Sequence, residues 1–298
     1  MNKFLLLAAS VAVMFVAQSY GQAPVLGTSS GFALFSTNGA VSNTGLSQLT
    51  GNVGTNNGSS TNFGNVDGVM HDGDGATAQA AIDLTVAYNQ LSASVPNYFP
   101  DALLGNGQIL TAGTYAIGQS ATLNNTLTLN GQGNENAVFI FQVQGSFSSA
   151  AAAQVVLTNG ALACNVFWKI EGLVDLAANT VMKGTIIANN AAIIFNSGVV
   201  LEGRALSTTG AVTVSGVTVR TPLGCGSPTL TGPAEPPHNT VLCYTVFSGN
   251  GEVTNSGVSF VTGDVGTNVG LTTVFKQPTS PVPYTRTLMC QLHSVLPT

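Results

Sequence analysis

The residues best suited to metal chemistry lie in one short loop. Asp67, His71, Asp72 and Asp74 fall in a segment rich in glycine and aspartate. Carboxylates and an imidazole at this density could hold a cation, and residues 72–75 match the opening of a calcium-binding EF-hand loop. The later oxygen ligands and the closing glutamate of such a loop are missing. We therefore favour a structural role, in which Asp74 or Thr77 caps the helix that follows, and we predict no metal and no other cofactor.

Four cysteines could in principle form a zinc site or disulfides. Cys164, Cys225, Cys243 and Cys290 contain no Cys-x-x-Cys pair, and no histidine stands at zinc-ligand spacing beside them. In an exported protein they are expected to pair, and four cysteines allow three connectivities. The sequence does not choose among these three.

The remaining polar residues form no recognisable catalytic arrangement. His71, His238 and His293 lie outside the repeated strands described below, the acidic residues are scattered, and no nucleophile motif of the Gly-x-Ser-x-Gly type is present. Only 6% of the residues are charged, so no basic patch could hold nucleic acid. We predict that the protein is not an enzyme and binds no nucleic acid.

The N-terminus is typical of a secretory signal peptide. Lys3 precedes an apolar run, and small residues lead to a cleavage point after Gly21, so residues 1–21 are expected to be removed. The apolar run is too short to span a membrane, and no later segment is apolar for long enough. We expect a secreted, extracellular monomer that does not contact a membrane after cleavage.

Residues 173–219 contain a pattern that repeats three times. Val174, Ile193 and Val212 open equivalent apolar runs 19 residues apart, and Lys183 aligns in the same way with Glu202. A fixed period built from short alternating runs separated by Gly and Asn is the signature of a solenoid. Each period has room for about three short strands, and Lys183 and Glu202 are predicted to pair across adjacent laps.

One segment has a helical rather than a strand-like pattern. Ala80, Leu84, Tyr88 and Leu91 form an apolar stripe on a helix predicted over residues 76–93. We expect this helix to cover the flank of its own solenoid, although the stripe could also form a groove for a partner. Aromatic residues of the strands are expected in the core rather than on a sugar-stacking platform: Phe141, Phe167 and Trp168.

The chain is predicted to contain two unequal domains. Residues 22–222 form the solenoid, residues 223–240 form a linker rich in Pro, Gly and Thr, and residues 241–298 begin again. Residues 247–275 align without gaps on residues 35–63, with 17 of 29 positions identical. Because only opening strands recur, we expect a truncated, poorly ordered second copy.

Several separated motifs resemble those of the microbial ice-binding β-solenoid domains of cold-adapted bacteria, algae and fungi. They are residues 41–45 (VSNTG), 51–54 (GNVG), 77–80 (TAQA), 110–115 (LTAGTY), 136–142 (NAVFIFQ), 163–169 (ACNVFWK) and 183–186 (KGTI). The resemblance covers residues 26–222. It implies an all-β solenoid, a right-handed parallel β-helix of roughly triangular section with one long α-helix packed alongside. It also implies N-terminal strands that join the stack out of sequence order, and one flat face that binds ice.

The repeat separates a charged set of strands from a nearly uncharged set. The charged set carries Lys169, Glu171, Lys183, Glu202 and Arg204, whereas the other set carries only Asp175. Charged groups hold water in orientations unlike those in ice, whereas small hydroxyls, amides and methyls can support an ordered water layer. We therefore predict that the uncharged face contacts ice through outward side chains, which alternation assigns to Ser42, Thr44, Thr122, Asn124, Ser146, Ser148, Ala177, Ile194, Asn196, Thr213 and Ser215.

The sequence thus predicts a secreted antifreeze protein whose partner is the ice crystal surface. It would adsorb through the uncharged face and inhibit the growth or recrystallisation of ice. The alternative is an adhesin module at the cell surface or in the matrix that binds polysaccharide, because secretion, low charge and repeated copies suit both roles.

Overall fold

The chain folds as a parallel-stranded solenoid followed by a small second unit. The computed structural model describes residues 22–225, 244–256, 261 and 264–273. The two compact units are Met1–Pro233 and Ala234–Thr298. The predicted signal peptide and most of the predicted linker lie outside the described residues. In the part of the chain that is described, no helix combines the length and apolar character needed to cross a membrane.

Three faces of parallel strands form the walls of the solenoid, and each lap of the chain crosses them in the same order. Face 1 consists of β8 (Leu103–Gly105), β11 (Ala121–Asn124), β14 (Phe147–Ser149), β17 (Val174–Leu176), β19 (Ile193–Phe195), β21 (Val212–Ser215), β2 (Val41–Thr44) and β5 (Ser60–Thr61). Face 2 consists of β9 (Ile109–Thr111), β12 (Thr126–Asn130), β15 (Gln154–Thr158), the first halves of β18 (Val181–Ala188) and β20 (Val200–Ser207), β22 (Thr218–Arg220), β3 (Gln48–Thr50) and β6 (Val66–Asp67). Face 3 consists of β10 (Gly113–Ile117), β13 (Phe139–Val143), β16 (Val166–Ile170), the second halves of β18 and β20, β1 (Phe32–Asn38), β4 (Asn52–Asn57) and β7 (Met70–Asp72). Three walls give the triangular solenoid that the family resemblance implied.

Glycines turn the corner inside the two longest strands. A Cβ at Gly184, whose φ is +102°, would lie 2.5 Å from the carbonyl oxygen of Val166. Gly203 occupies the same position one lap later, where a Cβ would lie 1.8 Å from the Gly184 carbonyl oxygen. Only glycine fits such an approach. The repeated Lys-Gly and Glu-Gly pairs of the sequence therefore mark the edge between faces 2 and 3.

The N-terminal strands complete the stack out of sequence order, as the resemblance implied. β1 pairs with β20, β2 with β21 and β3 with β22. The buried Ser36 hydroxyl donates to the Gly210 carbonyl at 2.8 Å, across 174 residues of sequence. The lap that β21 and β22 begin is therefore finished by β1.

One long helix connects the two ends of the stack. α1 spans Gly75–Ala93 and follows β7 at one end, while β8 opens the first lap at the other end. Eight laps at about 4.7–4.9 Å separate these ends by about 34 Å, which a helix of this length nearly covers at 1.5 Å per residue. Asp74 is the N-cap, and its carboxylate and the Thr77 side chain form a reciprocal capping box. The predicted helix and its predicted cap are confirmed.

The helix covers the outer side of face 3. Its buried residues are Thr77, Ala80, Ala81, Leu84, Ala87 and Leu91. The apolar ones pack on residues in or next to the strands of face 3, in a cluster separate from the interior core: Phe32, Phe35, Val138, Ile140, Phe167, Ile187 and Leu206. The helix therefore covers its own solenoid, which confirms the simpler of its two predicted roles.

Tyr88 anchors the edge of this helix through a polar network. Its hydroxyl donates to Glu171 Oε1 at 2.8 Å, and Asn189 Nδ2 donates to Glu171 Oε2 at 2.7 Å. Lys169 is paired with Glu171 and its Nζ lies 5.1 Å from the centre of the Tyr88 ring. Burial alone would raise the pKa of Glu171, but hydrogen bonds from Lys169, Asn189 and Tyr88 bring it below its ordinary value.

Aromatic stacking fills the interior near the first laps. Phe141 stacks on Trp168 with ring centres 4.0 Å apart, and Tyr115 stacks on Phe141 at 5.1 Å. Trp168 Nε1 donates to the Lys183 carbonyl at 2.9 Å, so its polar atom is satisfied. These rings and Phe167 are buried, which confirms that they belong to the core and do not form a sugar-binding surface.

A disulfide joins the segment that follows the last strand of the solenoid, β22, to the segment that precedes β16. Cys164, beside the start of β16, is bonded to Cys225, which follows β22. The other two cysteines, Cys243 and Cys290, lie outside the described residues. The bond links the segment that leaves the last C-terminal lap to an earlier one.

The second unit repeats the internal register of the first strands. β23 (Tyr244–Ser248) pairs in parallel with β25 (Asp264–Thr267), and β24 (Val253–Thr254) pairs with β26 (Thr272–Thr273). Phe247 pairs with Gly266 as Phe35 pairs with Gly54 in the first unit. Thr267 Oγ1 donates to the Gly251 carbonyl at 2.6 Å, and the corresponding bond from Thr55 to Gly39 measures 2.7 Å. Sequence identity and local geometry therefore agree in this region.

The helix cap predicts a specific loss of stability in acid. Hydrogen bonds from His71 and from the Thr77 backbone lower the pKa of Asp74 from 3.8 to about 2. The stabilisation is therefore complete above pH 3.8 and is lost as pH falls towards 2. Asp74→Ala should cost about 1 kcal/mol of unfolding free energy at neutral pH. Asp74→Asn should keep most of the cap but flatten the pH dependence between 4 and 2 in chemical denaturation. Equal slopes for the Asn variant and the unsubstituted protein would contradict this origin of the acid sensitivity.

The disulfide predicts a stability change that leaves the fold intact. Replacing both Cys164 and Cys225 by Ser releases a cross-link between positions 61 apart in sequence. The chain-entropy model gives a loss of about 4 kcal/mol for a loop of this size. Urea titration under oxidising conditions measures the loss, and the circular dichroism spectrum should stay unchanged. A double variant as stable as the parent would show that the bond contributes nothing.

Candidate functional site

Face 1 brings all the predicted contact residues onto one outer surface. Ser42, Thr44, Thr122, Asn124, Ser148, Ile194, Thr213 and Ser215 lie within its strands, and Ser146, Ala177 and Asn196 lie next to them. Each is exposed or half-buried. The residues that alternate with them point inward and are buried: Val41, Ala121, Leu123, Phe147, Val174, Leu176, Ile193, Phe195, Val212 and Val214. The strand alternation predicted from the sequence is therefore confirmed on this face.

The register of face 1 is constant from end to end. Its central column, in the order of the stack, is Leu103, Thr122, Ser148, Asp175, Ile194, Thr213, Ser42 and Thr61. Consecutive members are one lap apart, at about 4.7–4.9 Å. Parallel backbone hydrogen bonds fix this spacing, so the column is a rigid row of regularly spaced side chains.

Two further columns flank the central one. The backbone ladder before the strands places Ser146, Leu173, Ala192, Ala211, Ala40 and Ser59 in one of them. The other contains Asn124, Ala177, Asn196, Ser215 and Thr44 on the opposite side. Nearly all of these side chains are small hydroxyls, amides or methyls.

Hydroxyl groups on neighbouring laps bond to each other across the face. Thr122 Oγ1 lies 3.1 Å from Ser148 Oγ, and Ser146 Oγ donates to Ser120 Oγ at 3.0 Å. Ser42 Oγ donates to Thr213 Oγ1 at 3.4 Å. These bonds fix the side-chain orientations before any partner arrives, which reduces the entropy lost on binding.

Asp175 is the only charged residue in the three columns. Asn196, on the next lap, donates through Nδ2 to Asp175 Oδ1 at 2.9 Å and contacts the Leu176 carbonyl at the same distance. The carboxylate therefore orients the amide. Asp175, Ile194 and Thr213 share one position in successive laps, in agreement with the 19-residue repeat.

Face 2 differs from face 1 in its charge. Lys183 Nζ lies 2.8 Å from Glu202 Oε2, as predicted, and Arg220 approaches the same oxygen at 3.3 Å. Burial would raise the pKa of Glu202, but the bond to Lys183 and the charges of Lys183 and Arg220 lower it below its ordinary value. Face 2 is therefore a charged surface.

The charged residues predicted for one strand set are divided between two faces. Lys183 and Glu202 lie on face 2, before the glycine corner, whereas Lys169 and Arg204 lie in strands of face 3 and are buried. Arg204 donates to the Ser30 carbonyl at 2.6 Å and to Thr185 Oγ1 at 3.2 Å. Burial lowers the pKa of Arg204 to about 10. The prediction placed these residues on one face because the sequence does not show that β18 and β20 each turn a corner, at Gly184 and Gly203.

In the acidic loop before α1, the carboxylates of Asp72 and Asp74 make hydrogen bonds within the protein. Asp72 accepts from the Ser60 backbone at 2.8 Å and from its hydroxyl at 2.6 Å. Asp74 caps α1 and contacts His71 Nδ1 at 2.5 Å, whereas Asp67 is exposed on β6. No group of three or more potential metal ligands occurs among the described residues. The carboxylates thus serve the turn and the helix cap.

Two members of the central column were not predicted. Leu103 and Thr61 stand 19 residues before Thr122 and 19 residues after Ser42, so the repeat length could have found both. The period is not constant, however, because loops inserted before β13 and β16 lengthen the laps that lead to Ser148 and Asp175.

The comparisons with known proteins identify the family. A family model described as ice-binding-like matches residues 35–220. The chain belongs to this ice-binding-like family. A protein of Nostoc sp. (strain HG1), named as an ice-binding protein, is 38% identical over 194 residues, which are 64% of this chain and 71% of that protein.

Solved structures of the ice-binding-like family share the fold. The crystal structure of an ice-binding protein from an Antarctic bacterium of the Flavobacteriaceae is 68% identical, with a TM-score of 0.70, and the match covers 86% of this chain. The match spans only 60% of that longer chain. An ice-binding protein from an Antarctic biological consortium is 34% identical with a TM-score of 0.65, covering 69% of this chain and 95% of its own. These relatives confirm the β-solenoid with one helix, and their names give no support to the adhesin alternative.

Close backbone packing at the corner before β21 predicts that a side chain there would destabilise the fold. A Cβ at Gly210, whose φ is +149°, would lie 2.4 Å from the backbone of Ala191. Gly210→Ala should therefore cost about 1–3 kcal/mol of unfolding free energy. Gly64 is the matched control, because a Cβ there meets nothing within 4 Å. Thermal denaturation of both variants measures the difference, and equal stabilities would contradict the close packing of this corner.

Proposed function

We propose that this chain binds ice through face 1 and thereby inhibits the growth or recrystallisation of ice crystals. The observation that carries the proposal is the constant register of small, almost uncharged side chains along eight laps of face 1. Membership of the ice-binding-like family supports the proposal. Neither of the other faces offers such a surface, because face 2 carries the charged cluster and face 3 lies under α1.

The proposed mechanism depends on ordering water rather than on strong individual contacts. Hydroxyls and amides can each donate and accept hydrogen bonds, so they can take the place of water neighbours. Methyl groups between them leave cage-like water undisturbed. Because the backbone fixes the lap spacing, a water layer over face 1 is held at regular intervals and can merge with the ice lattice. Rigidity matters because no ordering cost is added when ice binds.

The chain would act by binding to the ice surface and would catalyse no reaction. We also propose that the mature protein is exported after loss of residues 1–21 and acts as a monomer. The low charge of the whole chain supports this role, since a flat ice surface offers no charge to pair with.

We further propose that residues 244–273 are a partial second copy of the opening strands of the first unit. Two features support this: the pairings Phe247–Gly266 and Val253–Thr272 reproduce those of Phe35–Gly54 and Val41–Ser60. In this copy Thr254 and Thr273 pair as Ser42 and Thr61 do in face 1.

A bulky substitution in the central column tests the proposed face. Thr213→Tyr places a phenol ring on face 1 and should hold ice away from the neighbouring columns. We expect the substitution to act as one at a binding hot spot does, where about 2 kcal/mol or more of binding free energy is lost. We expect most of the thermal hysteresis to be lost and ice crystals to lose their shaping.

The matched control for this experiment is Thr218→Tyr, which makes the same change on face 2 of the same lap. It should retain the activity of the unsubstituted protein, and circular dichroism should show both variants folded. If Thr213→Tyr stays active while Thr218→Tyr does not, ice binds through face 2. Glycan binding without any effect on ice would instead favour the adhesin.

A further inference from the structure

Asp175 interrupts face 1 near its middle. It occupies the central column between Ser148 and Ile194, with three strands of face 1 on one side and four on the other. Its side chain is half-buried on the outer surface. The seven other members of that column carry only hydroxyl or hydrocarbon side chains.

The carboxylate is fixed in place by its neighbour. Asn196 Nδ2 donates to Oδ1 at 2.9 Å and holds the aspartate against the face. Oδ2 makes no hydrogen bond within the described part of the chain and is left to water. Nδ2 of Asn196 also donates to the Leu176 carbonyl at 2.9 Å, and this second bond orients the amide towards the carboxylate.

A fixed carboxylate on such a face opposes an ice-like water layer. An ionised carboxylate only accepts hydrogen bonds, whereas each water in ice donates two and accepts two. Its bonds to water are also shorter and stronger than those between neutral groups. Removing that hydration when ice approaches is costly because no cationic side chain among the described residues pairs with Asp175. The waters around Asp175 are therefore held in an arrangement that ice does not share.

The two halves of face 1 are unequal. The half formed by β19, β21, β2 and β5 has four consecutive laps, with a methyl row of Ala192, Ala211 and Ala40 beside the central column. The half formed by β8, β11 and β14 has three laps, and the outermost of them, the β8 lap, presents Leu103 and Gly105. A continuous uncharged area is therefore larger on the β19–β5 half.

We propose that Asp175, held by Asn196, divides face 1 and confines ice contact to the β19–β5 half. This inference rests on the proposed ice-binding function and names the part of face 1 that performs it. Asp175 is a specificity-determining residue in this sense, because it limits which laps can share one ordered water layer.

Substitution of Asp175 tests the division directly. Asp175→Thr continues the column with a residue suited to a strand, and Asp175→Asn removes the charge while keeping the shape. Both should raise thermal hysteresis and the amount of protein adsorbed to ice. Glu135→Gln removes a carboxylate from an exposed loop away from the face and should change neither.

A double-variant experiment tests the confinement. In the unsubstituted protein, Thr213→Tyr should abolish most of the activity, whereas Thr122→Tyr, on the β8–β14 half, should cost a clearly smaller share of it. In the Asp175→Thr background, Thr122→Tyr should become costly because both halves then contact ice. Circular dichroism and thermal denaturation verify that each variant is folded.

The outcomes separate this inference from the function on which it rests. Unchanged or lower activity of the folded Asp175 variants would overturn the inference while leaving ice binding intact. Equal losses from Thr122→Tyr and Thr213→Tyr in the unsubstituted protein would also overturn it. An unsubstituted protein that neither shapes ice nor adsorbs to it would overturn the proposed function and this inference together.

Discussion

Parallel backbone hydrogen bonding between successive laps is the constraint on which the rest of the structure depends. It fixes the distance between laps at about 4.7–4.9 Å and the register of every column on the three faces. The interior follows from it, because inward residues such as Val174, Ile193 and Val212 must then stack on one another. Face 1 follows as well, since the outward residues between them repeat at the same interval.

Hydrogen bonds between laps do not determine how the ends of the stack and the outer surfaces of the three faces are stabilised, and each has its own solution. The N-terminal strands close the lap that β21 and β22 begin, so the stack depends on contacts between residues far apart in sequence, such as Ser36 and Gly210. α1 covers the apolar exterior of face 3, where Phe35, Ile140 and Leu206 would otherwise be exposed to water. Face 2 carries the charged cluster of Lys183, Glu202 and Arg220 on its outer side. Face 1 alone remains both open and nearly uncharged, which is why we propose that ice binds there.

The sequence predicts the repeated part of this architecture better than its corners. The 19-residue period between Val174, Ile193 and Val212 is a local pattern, and it gives the strands, their inward side and the outward residues of face 1. The helix and its Asp74 cap also depend on neighbours in sequence. The placement of Lys183 and Arg204 on two different faces does not depend on sequence neighbours. It depends on how closely Gly184 and Gly203 approach the preceding laps. The family resemblance supplied the out-of-order N-terminal strands, which no short pattern predicts. Among four cysteines, only the three-dimensional fold brings Cys164 to Cys225.

Growth of a single ice crystal from a dilute solution of the fluorescently labelled protein tests the central claim most directly. A chain that binds ice through face 1 should be taken up into the advancing crystal and concentrate on particular crystal planes, because a rigid face matches only some of them. Rejection of the label into the remaining liquid, as for a protein without affinity for ice, would contradict the assignment of ice binding to this chain.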